Sequence, residues 1–290
     1  MEILVEAFSI FGGLNTPLDL TKPLPKLIEK HILQNYDELK QNIDKITLNE
    51  KQNIKLLRAI ATGNRKIFSS FNRAGLNNQS GGQTLNFLQQ MGIIEIEYSR
   101  EIHPKQLYKK QKIKKVYSRY RISHKVIFNT PFLRFWFYFI LPYEKEIKEQ
   151  NYTNFFKFFE QRRYTFVSFM FEELSQLMLH TKVKEKILSS GSYWDAKVEI
   201  DILTQTLNNE IYVAECKWKN HKTNKKELNK LLEKCEKISL KPHKVALFSK
   251  RGFSKELLQL NSDKILLFSC EDFFSLVDIP SVSTMFNIDN

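Results

Sequence analysis

Apolar residues recur at helical spacing through the first third of the chain and in alternating or continuous runs through the last third. A helix is predicted from Leu24 to Leu39 after a proline-rich turn. Between Asn49 and Thr62, Ile54, Leu57, Ile60 and Ala61 share one helical face, and Gly63 ends it. Lys66 to Ala74 forms a second short helix closed by Gly75. A third opens at Ser80, which makes a capping-box pair with Gln83; Leu85 and Leu88 form its buried stripe and Gly92 stops it. Ile93 to Tyr98 then alternates as a strand, and Lys115 to Ile122 reads as its partner across a basic loop.

The aromatic run Pro131 to Leu141 (PFLRFWFYFIL) reads as a helix buried between domains. After a polar connector come two helices, Phe155 to Arg163 and Phe166 to Thr181, and a turn at Gly191–Trp194. Lys197–Leu203 and Ile211–Lys217 are strands around a short Asn208–Asn209 turn; one further strand before Trp194 is left open. A polar helix Asn224–Ile238, a strand Lys244–Phe248, a helix Ser254–Leu260, a strand Ile265–Phe268 and a last helix from Glu271 complete the chain. This order predicts a three-layer α/β domain behind a mainly helical N-terminal part. The expected divisions are a helical extension at 1–48, a winged-helix domain at 49–130, an aromatic helix and connector at 131–153, and an α/β domain at 154–290.

Charge sharpens this picture. The formal net charge is +13, and from Ile102 to Tyr143 there is no acid. Lys105, Lys109, Lys110, Lys112, Lys114 and Lys115 crowd the part of that stretch where a wing would lie. Such a local field favours polyanions through counterion release. Three short helices followed by a two-stranded hairpin is the layout of a winged helix, whose third helix enters the major groove. Gln79, Gln83, Thr84 and Asn86 would then stand near base edges, with the lysines on the backbone. The same layout also serves as a protein-interaction module; the basic loop favours DNA. No apolar run is long enough to span a membrane, the N-terminus lacks the basic start of a signal peptide, and three cysteines without CxxC spacing read as reduced core thiols. A cytoplasmic protein with no membrane partner is expected.

Candidate chemistry gathers in the last strands. Residues two apart on a strand share a face, so Glu215 and Lys217 project together with Ile211 and Val213, opposite Tyr212, Ala214, Cys216 and Trp218. Asp201 joins them only if the hairpin loop holds an odd number of residues. A three-residue loop, Leu207–Asn209, sets Asp201 against Glu215; a two-residue Asn-Asn turn sets it against Cys216 and splits the group. Asp201, Glu215 and the Cys216 carbonyl are hard oxygen ligands suited to Mg²⁺ (or Mn²⁺), and Lys217 can orient a water or offset phosphate charge. The bland alternative is an ion pair in a domain without chemistry.

The pattern Asp201-(x13)-Glu215-x-Lys217 resembles the PD-(D/E)XK nuclease superfamily. The stretches RYRIS, FLRFWFYFILP, FEEL, YWDAKVEID and AECKW look more closely like the nuclease-like domain of unknown function that follows certain archaeal and bacterial AAA+-type ATPases, commonly behind a winged helix. That resemblance covers about residues 50 to 290. It implies a restriction-endonuclease-like core, Mg²⁺-dependent endonuclease activity on DNA, and a helical glutamate at Glu172, with Glu173 as alternate. The chain departs from those relatives in lacking GxxxxGK[ST] and in having Ile200 where a proline often precedes the aspartate. A catalytically inactive DNA-binding regulator, or an adaptor for a separate ATPase, is the other expectation; a second copy of the chain is a further partner.

Overall fold

The computed structural model describes residues 1–99, 123–195 and 197–277. The lysines of the basic loop and the strand expected at Lys115–Ile122 lie outside these residues.

The N-terminal half is helical: α1 (Glu2–Phe11), α2 (Leu24–Ile28), α3 (Tyr36–Thr47), α4 (Lys51–Thr62), α5 (Ile67–Ala74) and α6 (Asn78–Gln90). The single helix expected from Leu24 to Leu39 is instead broken. A π-turn at Glu29–Leu33 ends α2, and Asn35 Nδ2 donates to the Lys30 carbonyl (2.8 Å) before α3 starts. Helix α6 is capped by Asn77, which accepts from the Ser80 N–H at 2.8 Å, rather than by Ser80 itself. Strand β1 (Ile94–Glu97) follows and pairs antiparallel with β2 (Lys125–Phe128).

The aromatic run forms α7 (Pro131–Phe135) and a π-turn through Ile140, and Phe135, Phe137 and Phe139 are fully buried. After α8 (Glu144–Lys148) comes one 30-residue helix, α9 (Thr153–Lys182), where two were expected. The segment holds no glycine or proline, so nothing local breaks it. Arg134 Nη1 bonds the Phe166 carbonyl in its middle (3.0 Å).

The remaining elements are β3 (Ile187–Trp194), β4 (Glu199–Thr206), β5 (Ile211–Lys217), α10 (Lys225–Lys237), β6 (Lys244–Ser249), α11 (Lys255–Leu258), β7 (Ile265–Ser269) and α12 (Phe274–Val277). They give a five-stranded mixed sheet in the order β3-β4-β5-β6-β7, antiparallel from β3 to β5 and parallel beyond. This is an α/β region with helices on both faces. Tyr212, Ala214 and Cys216 pack with α9, whereas Val213 packs with Leu228 and Leu231 of α10. The expected turn at Gly191–Trp194 is a strand instead. Its irregularity is absorbed by a register shift against β4, where glycine commonly marks a bulge.

One apolar cluster runs from Val5 through the aromatic helix to Leu276. Helix α1 belongs to it, and Glu2 pairs with Lys250 and Arg251 beyond β6 (3.3 and 3.2 Å). The first helix therefore braces the sheet.

The β4–β5 hairpin has the three-residue loop. Thr206 N–H bonds the Glu210 carbonyl (3.0 Å), leaving Leu207, Asn208 and Asn209 between, and Asn209 takes a left-handed φ of 62°. A β-branched residue cannot adopt that conformation without strain. Asn209→Val is expected to lower stability by about 1–2 kcal/mol and Asn209→Gly to leave it unchanged or raised, read from urea melts. Equal stabilities for the two variants would argue against this turn.

Candidate active site

The loop fixes the register that the chemistry needs. Ile202 pairs with Ala214 and Leu203 with Val213, and the ladder ends there, one residue short of Asp201 and Glu215. On the other edge of β4 two residues, Asp201 and Ile202, face the single Ser192 between the pairs Gly191–Leu203 and Tyr193–Ile200. This is a bulge, and bulges re-aim side chains. Its effect shows in the packing: Ile200 and Leu203, three apart, share one core, while Ile202 lies in the other. The Asp201 carboxylate accepts from the Cys216 N–H at 2.8 Å.

Glu215 is buried and bonded by two lysines, Lys217 Nζ at 2.6 Å and Lys234 Nζ of α10 at 2.7 Å. Lys217 also lies 3.5 Å from Glu227. Burial alone would depress the Lys217 pKa, but Glu215, Asp201 and Glu227 outweigh it and hold it above the usual lysine value. Glu215 and Lys217 lie on the α10 side together with Val213, as the alternation predicts, whereas Asp201 lines a cleft with Glu172 in which neither of them takes part.

Glu172 of α9 approaches from the opposite layer. Its pKa and that of Asp201 are both raised, first by burial and then by negative neighbours: Asp201 acts on Glu172, and Glu215 on Asp201. Glu173 is raised to about 7 by burial, offset by Arg65 and Arg134. Of the two candidates on this helix, Glu172 is therefore the one beside Asp201. The Cys216 thiol is buried and pushed up by desolvation, so it is unreactive, and only its backbone faces the question of ligation.

A cleft of about 490 Å³ opens between the sheet and the α4–α5 turn. Arg65, Lys66, Lys125, Arg134, Glu172, Glu199 and Asp201 line it. Sequence reasoning missed Arg65, Lys125 and Glu199, which fold topology alone brings here, and missed Lys234. A signal existed for Lys234: with Glu227 and Lys230 it forms an i, i+3, i+7 charge stripe on the polar helix. The expected base readers divide. Gln79, Gln83 and Asn86 are exposed, but Thr84 is 6% exposed and packs inside α6, so it is withdrawn from that set.

Do these residues suit a divalent ion? Glu172 and Asp201 repel one another, and neither has an ion pair among the described residues, so a cation between them would relieve a real cost. Against that, no three Asp, Glu, His or Cys side chains among the described residues are gathered as a ready ligand set. Carboxylate oxygens are the donor type that Mg²⁺ takes, but ligation by Glu215 would have to draw it from Lys217 and Lys234.

The sign of the pH effect follows. A folded-state carboxyl pKa above its unfolded value means the folded protein keeps a proton that the unfolded chain has shed. Stability is full below the unfolded pKa, about 4, and is lost as pH rises through the folded value. With Glu173 at about 7, and Glu172 and Asp201 raised as well, the melting temperature of the metal-free protein is expected to fall between about pH 5 and pH 8. Mg²⁺ or Mn²⁺ should restore it at the upper end. A profile that is flat in pH and indifferent to either ion would contradict this electrostatic picture.

Residues 136–231 match a family model, DUF234, described as archaeal and bacterial proteins of unknown function. The match runs from the π-turn after α7 to the middle of α10 and so includes Glu172, Asp201, Glu215 and Lys217. No curated protein and no solved structure matches the chain. No described helix is long and apolar enough to cross a membrane.

Proposed function

We propose that the chain is a Mg²⁺- or Mn²⁺-dependent nuclease of the PD-(D/E)XK type, with a restriction-endonuclease-like core, that hydrolyses phosphodiester bonds in DNA. The observation that carries this reading is the hydrogen bond from the Cys216 N–H to Asp201 Oδ2 (2.8 Å), which holds that carboxylate against the strand that bears Glu215 and Lys217. Asp201 and Glu215, with the Cys216 carbonyl, would hold the metal, and Glu172 would join from α9. When bound, the ion supplies charge stabilisation for the phosphate and acidifies a water. Lys217, held charged by its acidic neighbours, offsets phosphate charge or orients the attacking water by hydrogen bonding. Asp201 Oδ2 is fixed by the Cys216 N–H, which orients the carboxylate before any ion arrives.

DNA docking falls to the helical part, read as a winged helix: α4, α5 and α6 precede an antiparallel strand pair. Exposed Gln79, Gln83 and Asn86 would read bases. The basic stretch, from Lys105 to Lys115, would contact phosphates. The described chain on either side of it is tied to β3, since Ser99 Oγ donates to the Trp194 carbonyl (3.1 Å) and Trp194 Nε1 donates to Ser123 O (2.9 Å). Replacing Lys109, Lys110 and Lys112 with Ala is expected to weaken duplex binding and lower its salt slope by about 0.9 per lost contact. Unchanged affinity and slope would make the helical part a protein-interaction module.

One observation favours a second reading. Glu215 is clamped by Lys217 and Lys234, as in a structural ion pair, which suits a catalytically inactive DNA-binding regulator or an adaptor for a separate ATPase or a second copy of the chain. Either reading accords with a cytoplasmic protein. Incubation with supercoiled plasmid and with single-stranded DNA, with and without Mg²⁺, separates them. Cleavage that requires the ion supports the nuclease; intact DNA under every condition leaves the regulator.

A further inference from the structure

We propose that Arg65 is a phosphate-binding residue, delivered into the carboxylate cleft by the α4–α5 turn, so that a nucleic-acid strand is gripped between the helical part and the sheet. The proposal deepens the nuclease reading and rests on it for what lies across the cleft, but the anion site is measurable without cleavage.

Four cations line the cleft, Arg65, Lys66, Lys125 and Arg134, and the last two are already engaged. Lys125 is buried, with Nζ on Glu199 Oε1 at 2.5 Å and over the Trp194 ring. Arg134 Nη1 bonds the Phe166 carbonyl, and its guanidinium lies over Phe166 and Phe169. Arg65 differs. Its guanidinium carbon sits 3.6 Å from the centroid of the Phe169 ring. Among the described residues its side chain makes no hydrogen bond or ion pair, so the donors at the guanidinium edge are left for a ligand. A planar fork backed by an aromatic ring suits two oxygens of one phosphate.

The backbone beneath it is held in an unusual conformation. Arg65 has a φ of 64°, which a glycine would adopt without strain. It is fixed by three bonds: Val126 N–H to the Arg65 carbonyl (2.9 Å), Ile67 N–H to the His124 carbonyl (2.9 Å) and Lys66 N–H to Asn64 Oδ1 (3.1 Å). The turn is thus clamped to β2 with the arginine in the cleft opposite Glu172 and Asp201. An anion alone would be repelled by those carboxylates; a phosphodiester with a divalent ion on its far side would not. The site therefore fits a backbone phosphate next to, or at, the position of cleavage.

The test uses the full-length protein and a labelled single-stranded tetranucleotide in EDTA and in Ca²⁺. Binding is followed by anisotropy across a salt series. In Ca²⁺, Arg65→Gln should weaken binding about tenfold or more and lower the salt slope by about 0.7, with Arg65→Lys between it and the unmodified chain, while in EDTA every form should bind more weakly. Because Arg65 also stacks on Phe169, a second measurement avoids any folding defect. Phenylglyoxal labelling of the unmodified protein, mapped by peptide mass, should mark Arg65, and the tetranucleotide should protect it where chloride of equal ionic strength does not. Absent protection, or unchanged affinity and slope in Arg65→Gln, overturns the site. Cleavage assayed in parallel separates the two ideas. Protection without cleavage by the unmodified chain removes the nuclease and keeps the anion site; cleavage with an indifferent Arg65→Gln does the reverse.

Discussion

Asp201→Asn and Glu215→Gln are each expected to reduce metal-dependent cleavage about a thousandfold, with DNA affinity within about twofold of the unmodified protein. Both changes remove a hard anionic ligand while leaving shape nearly untouched. Their effects on stability should have opposite signs. Asp201 is repelled by Glu215 and Glu172, so neutralising it relieves strain and should raise the melting temperature. Glu215 bonds both Lys217 and Lys234, so Glu215→Gln leaves Lys234 without its carboxylate and Lys217 with only Glu227 at 3.5 Å, and should lower it. Lys217→Ala is expected to abolish cleavage while leaving metal binding in place. Full nicking activity in Glu215→Gln, measured by plasmid gel assay, would remove the site assignment whatever the stability data say.

Phe135→Ala should cost about 3–5 kcal/mol, the largest stability loss expected of a single substitution here. The ring is fully buried and meets Phe139 at 5.3 Å, Phe166 at 6.0 Å, Phe159 at 6.2 Å and Phe155 at 6.5 Å between centroids. Three of those four rings sit on α9, the helix that also carries Glu172. A cavity there removes the packing that seats α9, so Glu172 should lose its fixed approach to Asp201 and the pH dependence of stability should flatten. Urea unfolding of the variant checks the first part. A loss below about 1 kcal/mol would mean that α9 is held chiefly by its other contacts.

What could be read from the chain follows from which forces are local. The alternation in β5 separates Glu215 and Lys217 from Tyr212, Ala214 and Cys216, because strand period depends on covalent geometry alone. The requirement for an odd loop was legible for the same reason, and Asn209 tolerates the left-handed conformation that such a loop demands. The bulge at Asp201–Ile202 was not legible, since it arises from pairing with β3, whose Gly191 looked like a turn. The continuity of α9 was legible in its lack of glycine and proline, and Arg134 binds its middle at the Phe166 carbonyl. Thr84 looked like a base reader because helix periodicity at a glycine-containing N-terminus is ambiguous; packing turned it inward. Arg65, Lys125 and Glu199 are more than a hundred residues apart at the extremes and carry no shared local pattern, so only the fold could join them to Glu172 and Asp201.

On the nuclease reading, Asp201 and Glu215 form a metal site rather than a structural ion-pair cluster. Anomalous diffraction from crystals of the protein soaked in Mn²⁺ distinguishes the two. One strong peak is expected at oxygen-ligand distance from Asp201 and Glu215, with Lys234 displaced from Glu215. A map with no peak there at saturating Mn²⁺, and with Lys217 and Lys234 still bonded to Glu215, would contradict it.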